Sequence, residues 1–306
     1  RWVDGEVDLL CRQGLLDKAF NCLSQLSCPP SHASYISLLK TCAKQRNLSY
    51  AMRVYAHIVI IHSIIPSSEG QLGEHLVLAL AKCDSPDDAL FLHFHLSSRT
   101  LISWKAIISC LVDHGLCRDA LLLYDKMTED GIRADSFTLG SLFRACGSTS
   151  DLEKGRKLHA HAQISGLSSD IFIGNILITM YRKCGSTIEA EEVFSELPTR
   201  DAVSWNSMLS AFVDHGHGVR ALQLYVKMKQ EGIVPDHATS VLSLQSCAML
   251  VEDGISNTVA LEIGRGLHSY IRYAGLVSHI FVVSTLVSLY GKCIAISEAQ
   301  QVFATL

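Results

Sequence analysis

The chain has 306 residues, 48% of them apolar, and 26 Lys and Arg against 30 Asp and Glu leave a net charge of −4. That balance excludes broad, non-specific electrostatic attachment to nucleic acid. Eleven cysteines, an odd number without paired spacing, exclude a disulfide framework and read as small buried helix residues in a reducing compartment.

In chain order, apolar residues fall into pairs of helix-length stretches, and the middle of the chain repeats itself at a step of 101 residues. Trp104 returns as Trp205, Asp113-His114-Gly115 as Asp214-His215-Gly216, and Tyr124 as Tyr225. Cys146 returns as Cys247, and Lys82-Cys83 as Lys183-Cys184, with a third copy at Lys292-Cys293 after about eight extra residues. Each step divides into segments of 35, 35 and 31 residues. Within Leu101–Asp135, Leu101, Trp104, Ile107, Ile108 and Leu111 share one helix face, and Gly115 stands where a left-handed residue ends a helix. Ala120, Leu121, Tyr124 and Met127 then make a second helix that runs to Gly131. The pattern predicts an all-α fold of stacked helix-turn-helix pairs, an α-solenoid in which each pair contacts its neighbours.

The uncharged run Tyr273–Gly291 is interrupted by Gly275, His279 and a repeat boundary, so it is not expected to span a membrane. Nothing in the sequence predicts catalysis, a metal site or a cofactor. No Cys-x-x-Cys occurs, no His is followed two places later by Glu, and no phosphate-cradling glycine loop is present. Asp113-His114 and Asp214-His215 resemble acid–base dyads, but they recur in register without a nucleophile and read as repeat positions. His159 and His161, two apart on a helix, point to different faces.

Two segment types carry further signatures. Leu142-Phe143-Arg144-Ala145-Cys146 is followed by Gly155-Arg156-Lys157-Leu158-His159-Ala160. Asn175 is followed by Met180-Tyr181-Arg182-Lys183-Cys184-Gly185, Ala190 and Val193-Phe194. These segments resemble pentatricopeptide repeats, and their alternation resembles the plant subclass built from P, L and S repeats. The resemblance implies a right-handed α-solenoid superhelix over residues 1–306. Its units are a degenerate pair at Asp4–Ser31, L at His32–Glu69, S at Gly70–Thr100, P at Leu101–Asp135 and L at Ser136–Asp170. S at Ile171–Asp201, P at Ala202–Asp236, L at His237–His279 and S at Ile280–Leu306 follow. The third L unit carries the eight-residue insertion, near Val251–Thr258. The chain begins without Met and stops 27 residues into its last unit, so it reads as a piece of a longer protein whose targeting peptide and effector domain lie elsewhere.

The same resemblance implies single-stranded organellar RNA as partner, one nucleotide per repeat. The fifth and last residues of a unit would meet the base, and second-position side chains would wedge between bases. Base readers are then Asn175 with Asp201 and Asn206 with Asp236, with Lys105 and Asp135, Asp170 and Ser284 as further candidates. An ionised Asp only accepts and so favours a base that presents a ring N–H. Two neighbouring Asn–Asp units therefore predict two adjacent pyrimidines, U-U, under 171–201 and 202–236. Glu74, with Thr100, is expected not to read, and Ile36, Gly140 and Val241 of the L units carry no hydrogen-bonding side chain. Ile102, Phe137, Phe172, Val203 and Phe281 are the wedge candidates, with core packing as the other reading. Lys82, Lys183 and Lys292 share one S position and are either phosphate contacts or a solubilising row. The implied role is selection of a cytidine for C-to-U editing in a chloroplast or mitochondrion. Transcript processing, splicing or stabilisation, and a protein–protein scaffold that docks helper proteins, remain open. One departure carries its own expectation. Ile294 stands where Gly115, Gly185 and Gly216 supply a turn glycine and the first S unit has the more tolerant Asp84, so that turn is predicted to be reshaped or frayed.

Overall fold

The computed structural model describes residues 2–25, 30–62, 70–254 and 256–304. Among them there are helices and turns and no strand. Nine helix pairs follow one another. They are α1 (Trp2–Arg12) and α2 (Leu16–Ser24), α3 (His32–Gln45) and α4 (Leu48–His62), α5 (Gly70–Lys82) and α6 (Pro86–His95), then α7 (Leu101–Asp113) and α8 (Cys117–Glu129). Next come α9 (Ser136–Thr149) and α10 (Leu152–Ile164), α11 (Ile171–Lys183) and α12 (Thr187–Glu196), α13 (Ala202–Asp214) and α14 (Gly218–Gln230). The last are α15 (His237–Glu252) and α16 (Asn257–Tyr273), α17 (Ile280–Lys292) and α18 (Ile296–Phe303). The first pair begins at Trp2, two residues before the expected Asp4. The unit ends at Glu69 and Leu306, and Ile255 within the insertion, lie outside the described residues.

The contacts gather into two compact units, residues 1–145 and 146–306. The physical reason is that a repeat array has no central core, because each pair buries its apolar face only against the next. In the first unit the odd-numbered helices pack in the series α1, α3, α5, α7, and in the second α11, α13, α15, α17. Each even helix other than α10 packs on its own odd partner, and α2, α4, α6, α10, α12, α14 and α16 also touch the odd helix that follows. The odd helices thus carry the stack.

The recurring residues are the ones that close these interfaces. Trp104 and Trp205 are fully buried, and their rings meet His93 and Phe194 edge-on, at centroid distances of 4.3 and 5.0 Å. The thiols of Cys83 and Cys184 each donate to a carbonyl, of Cys42 and Cys146, at 3.6 Å, so the two recurring cysteine positions pack on each other. The Gly-Arg-x-x-His run of the L segments docks α10 on α11, and α16 on α17, in the same way. His159 and Tyr181 share a hydrogen bond of 2.9 Å, as do His268 and Tyr290. Arg156 pairs with Glu189, and Arg265 with Glu298. Gly155 and Gly264 permit the close approach, since an added Cβ would lie 2.6 Å from Met180 Sδ in one and 2.8 Å from Leu289 Cδ2 in the other.

The insertion lengthens the eighth pair without disrupting it. Relative to the fifth pair, the first helix grows from 14 to 16 residues and the second from 13 to 17. The connection grows from residues 150–151 to 253–256, and the added turn at the start of α16 is Asn257–Ala260.

The expectation for Ile294 is wrong. Its φ is 60°, against 81° for Gly185, and the same two hydrogen bonds close both turns. Ile294 N–H donates to Gly291 and Ala295 N–H to Tyr290, as Gly185 does to Arg182 and Ser186 to Tyr181. The packing of α18 on α17 holds the left-handed turn despite the β-branched side chain, which is 73% exposed. Asp84 makes the equivalent turn at φ 61°.

Candidate nucleic-acid interface

Among the described residues, the unit-ending Ser31, Thr100, Asp135, Asp170, Asp201 and Asp236 each cap the next odd helix through the side chain, which fixes where that side chain points. Asp201 Oδ1 accepts from Ser204 N–H at 2.8 Å, and the Ser204 hydroxyl accepts from the Asp201 backbone N–H, completing a capping box. Asp236 and Thr239 repeat that arrangement. Asp135 accepts from Thr138 N–H at 2.8 Å, Asp170 from Phe172 and Ile173, and Thr100 from Ile102. Such caps stabilise a helix start by about 1 kcal/mol. The aspartates that end four successive units, Asp135, Asp170, Asp201 and Asp236, therefore have a local structural cause, and all but Asp170 have Ser or Thr three residues on. The signal, Asp-x-x-Ser or Thr, is legible in the sequence.

In three of these units the fifth residue of the same unit reaches that carboxylate. Asn206 Nδ2 donates to both oxygens of Asp236, at 3.2 and 3.1 Å, while Asn206 Oδ1 accepts from the Thr239 hydroxyl at 2.7 Å. Asn175 Nδ2 donates to Asp201 Oδ1 at 3.3 Å, but Asn175 Oδ1 is buried without a partner among the described residues. Asn206 is thus held at both ends of its amide and Asn175 at one. Burial pushes the carboxyls of Asp236 and Asp201 upward, and the donated hydrogen bonds outweigh it, so both stay below the ordinary range. They are ionised acceptors at neutral pH. Lys105 forms the third such pair, Nζ to Asp135 Oδ2, at 2.9 Å.

The five second-position side chains are on the surface, from 46% exposed at Phe172 to 73% at Phe281, with Ile102, Phe137 and Val203 between. Core packing is therefore excluded for them. Lys105 Nζ lies 4.2 Å from the centre of the Phe137 ring. Lys82 and Lys183 are exposed and make no ion pair among the described residues, whereas Lys292 donates to Glu252 at 2.6 Å. The row is chemically uneven, because the insertion-bearing unit supplies a carboxylate to its third member. Ser284 is exposed and donates to the Phe281 carbonyl of its own helix at 3.1 Å. Asp170 has no fifth-position partner, since Gly140 has no side chain. Glu74 is 6% exposed, which takes it out of reach of any base.

Two recesses open on the face of the odd helices. One, of about 690 Å³, is lined by α3, α5 and α7 and includes Lys82, Ile102 and Lys105. The other, of about 570 Å³, is lined by α13, α15 and α17 and includes Ser284, Thr285 and Lys292. The members of the two Asp-His pairs bond to other partners. His114 and His215 donate through Nδ1 to the carbonyls of Cys110 and Ala211, both at 2.8 Å, and so close their own helix ends. Asp113 and Asp214 pair with Arg144 and Arg182.

Profiles for the PPR repeat match residues 102–132 and 175–201, and the profile of the PPR repeat family matches 200–248. This chain belongs to the pentatricopeptide repeat family. The chloroplastic pentatricopeptide repeat-containing protein At4g18520 of Arabidopsis thaliana is 32% identical over 90% of the chain and 43% of its own length. The chloroplastic protein CRR2 of the same plant is 33% identical over 97% of the chain and 44% of its own length. A mitochondrial Arabidopsis relative, At3g02330, is 31% identical over 93% of the chain and 30% of its own length. The chain thus spans less than half the length of these relatives. The crystal structure of pentatricopeptide repeat protein PPR10 in complex with an 18-nt psaJ RNA element superposes with a TM-score of 0.59. It is 21% identical over 89% of this chain and 40% of that one. PPR10 from maize matches with a TM-score of 0.52 and 17% identity, over 99% of this chain and 53% of that one. At these identities the structures establish the shared helical-repeat fold. Among the described residues no helix is long and apolar enough to cross a membrane.

Proposed function

We propose that this pentatricopeptide repeat protein binds single-stranded RNA in a chloroplast or mitochondrion and reads one base per repeat. The observation that carries the reading is the pair of Asn–Asp contacts, Asn175 with Asp201 and Asn206 with Asp236, placed alike at the start of consecutive odd helices. Each pair offers an amide that donates and accepts beside a carboxylate that only accepts. The exposed side chains Phe172 and Val203 flank them as stacking surfaces, and base stacking on an aromatic contributes about 1–3 kcal/mol. The preferred bases are two adjacent pyrimidines, U-U. The P, L, S order supports selection of a C-to-U editing site as the finer role. Processing, splicing or stabilisation of the transcript are the other uses of the same binding.

The test is selection from a randomised single-stranded RNA pool at physiological salt. Enrichment of two neighbouring pyrimidines supports the reading. Weak, salt-sensitive binding without enrichment would refute it. A protein-facing role has one observation in its favour, an apolar recess of about 780 Å³ between α14 and α16 lined by Val219, Val226, Val259 and Tyr270. A helper protein seated there would be lost in Val226→Glu while RNA binding is retained.

A further inference from the structure

We propose that the recess framed by α3, α5 and α7 is a second binding site, which takes a triphosphate group, on a free nucleotide or at the 5′ end of an RNA. This goes beyond the base-reading role proposed above and does not depend on it. The recess, of about 690 Å³, is lined by Lys44, Arg46, Lys82 and Lys105, with Asp84, Asp113 and His114 among its other residues. Both carboxylates are already countered. Asp84 lies between Arg46 Nη1 at 3.9 Å and His114 Nε2 at 3.8 Å, and Asp113 pairs with Arg144 at 3.2 Å. Lys105 is held by Asp135 at 2.9 Å. Lys44 and Lys82 are exposed and make no ion pair among the described residues. The recess thus keeps positive charge that no carboxylate among those residues offsets.

The repeat supplies an internal comparison. Where the first copy has Lys44, Arg46, Lys82 and Lys105, the next has Ser148, Ser150, Lys183 and Asn206. Arg46 and Ser150 correspond in backbone too, at φ 51° and 55°. One lysine in each S segment suits an RNA backbone, which spreads its charge one phosphate at a time. Three further cations gathered in one recess suit a ligand that concentrates its charge. A triphosphate does so, and its oxygens accept from an Arg fork and from Lys ammonium groups. The volume falls within the range of small-molecule sites, about 300–1,000 Å³. Ile102, half-exposed on the wall beside Lys105, offers an apolar surface to the attached base.

The experiment measures binding of inorganic tripolyphosphate and of ATP by calorimetry at physiological salt. It also measures binding of one RNA sequence that bears a 5′-hydroxyl, a 5′-monophosphate or a 5′-triphosphate. The wild-type chain is compared with Lys44→Ser/Arg46→Ser, which installs the residues of the second copy. A control, Lys227→Ser/Lys229→Ser, removes two exposed cations of α14. Circular dichroism checks folding, and Lys44→Ser alone serves if the double variant does not fold. Tripolyphosphate should bind the wild type and the α14 variant alike. The recess variant should bind it about tenfold more weakly for each cation removed, the order of one charge-assisted hydrogen bond. A gain in RNA affinity from 5′-hydroxyl to 5′-triphosphate, lost in the recess variant, assigns the group to an RNA end. Binding of tripolyphosphate and ATP without that gain assigns it to a free nucleotide. The proposal is overturned if neither tripolyphosphate nor the 5′-triphosphate adds binding to the wild type, or if the α14 variant loses as much as the recess variant. RNAs weakened alike by Lys44→Ser/Arg46→Ser whatever their 5′ end, with no tripolyphosphate bound, would overturn it in favour of internal phosphodiesters.

Discussion

Ile294→Gly should stabilise the last helix pair. A side chain in the left-handed region costs about 1–2 kcal/mol, and a β-branched one stands at the upper end. Ile294 adopts φ 60° with its side chain 73% exposed, so little burial offsets that strain. Losing the buried quarter of the side chain costs roughly 0.5 kcal/mol. The added freedom of glycine in the unfolded chain costs about 0.4–1 kcal/mol. The difference is a net gain of up to about 1 kcal/mol. In a repeat array that gain stays local, because each pair is coupled to its neighbours and to little else. Native-state hydrogen exchange of the α17 and α18 amides is therefore the assay, and their protection should rise by up to about fivefold. Ile294→Asn, which tolerates the left-handed region, should fall between the two. Protection that is unchanged or reduced in Ile294→Gly would refute the strain argument.

Three further outcomes follow from the packing and the charges. His93 is fully buried with neither ring nitrogen bonded among the described residues, and burial drives its pKa down to about 4. The unfolded chain protonates it near pH 6.5 and the folded chain does not. Its stabilising contribution is therefore whole above about pH 6.5 and lost as pH falls towards 4, by up to about 3 kcal/mol. Denaturant midpoints should drop over that window in the wild type and drop less in His93→Leu; equal slopes would count against it. Gly155→Val and Gly264→Val should each destabilise by about 1–3 kcal/mol through overpacking against Met180 and Leu289, measured by urea unfolding. Either variant matching the wild type would show that the close approach is not required. Thr239→Val removes the hydroxyl that holds Asn206 Oδ1. It should flatten base preference at one nucleotide and leave overall RNA affinity within about fivefold, since an uncharged hydrogen bond contributes about 1 kcal/mol. Preserved preference there would mean that Asn206 needs no such support.

Much of the fold was legible because a stacked helix pair imposes its period on the chain. The recurring tryptophans, cysteines and Gly-Arg-x-x-His runs are interface residues, so equal spacing in sequence became equal placement in space. The insertion was legible too, as a break in that spacing, although its division between helix ends and connection was not. Ile294 shows where local propensity misleads, because packing of α18 on α17 overrides a φ preference of about 2 kcal/mol. Glu74 and Lys292 show the other gap. Position in a repeat located them, but burial of the first and the ion pair of the second depend on residues far off in sequence. The aspartates at the unit ends were read as base contacts, and their N-cap role follows from Ser204 and Thr239 three residues on.

That double role decides the most direct measurement. Asp236→Ala would remove cap and acceptor together, whereas Asp236→Asn keeps the cap and turns the acceptor into a group that also donates. Binding should be measured for RNAs that differ only in U or C at the nucleotide assigned to unit 202–236. The wild type should prefer U, and Asp236→Asn should shift the U-to-C ratio towards C by about tenfold. An unchanged ratio in a folded Asp236→Asn protein would refute base reading by this pair.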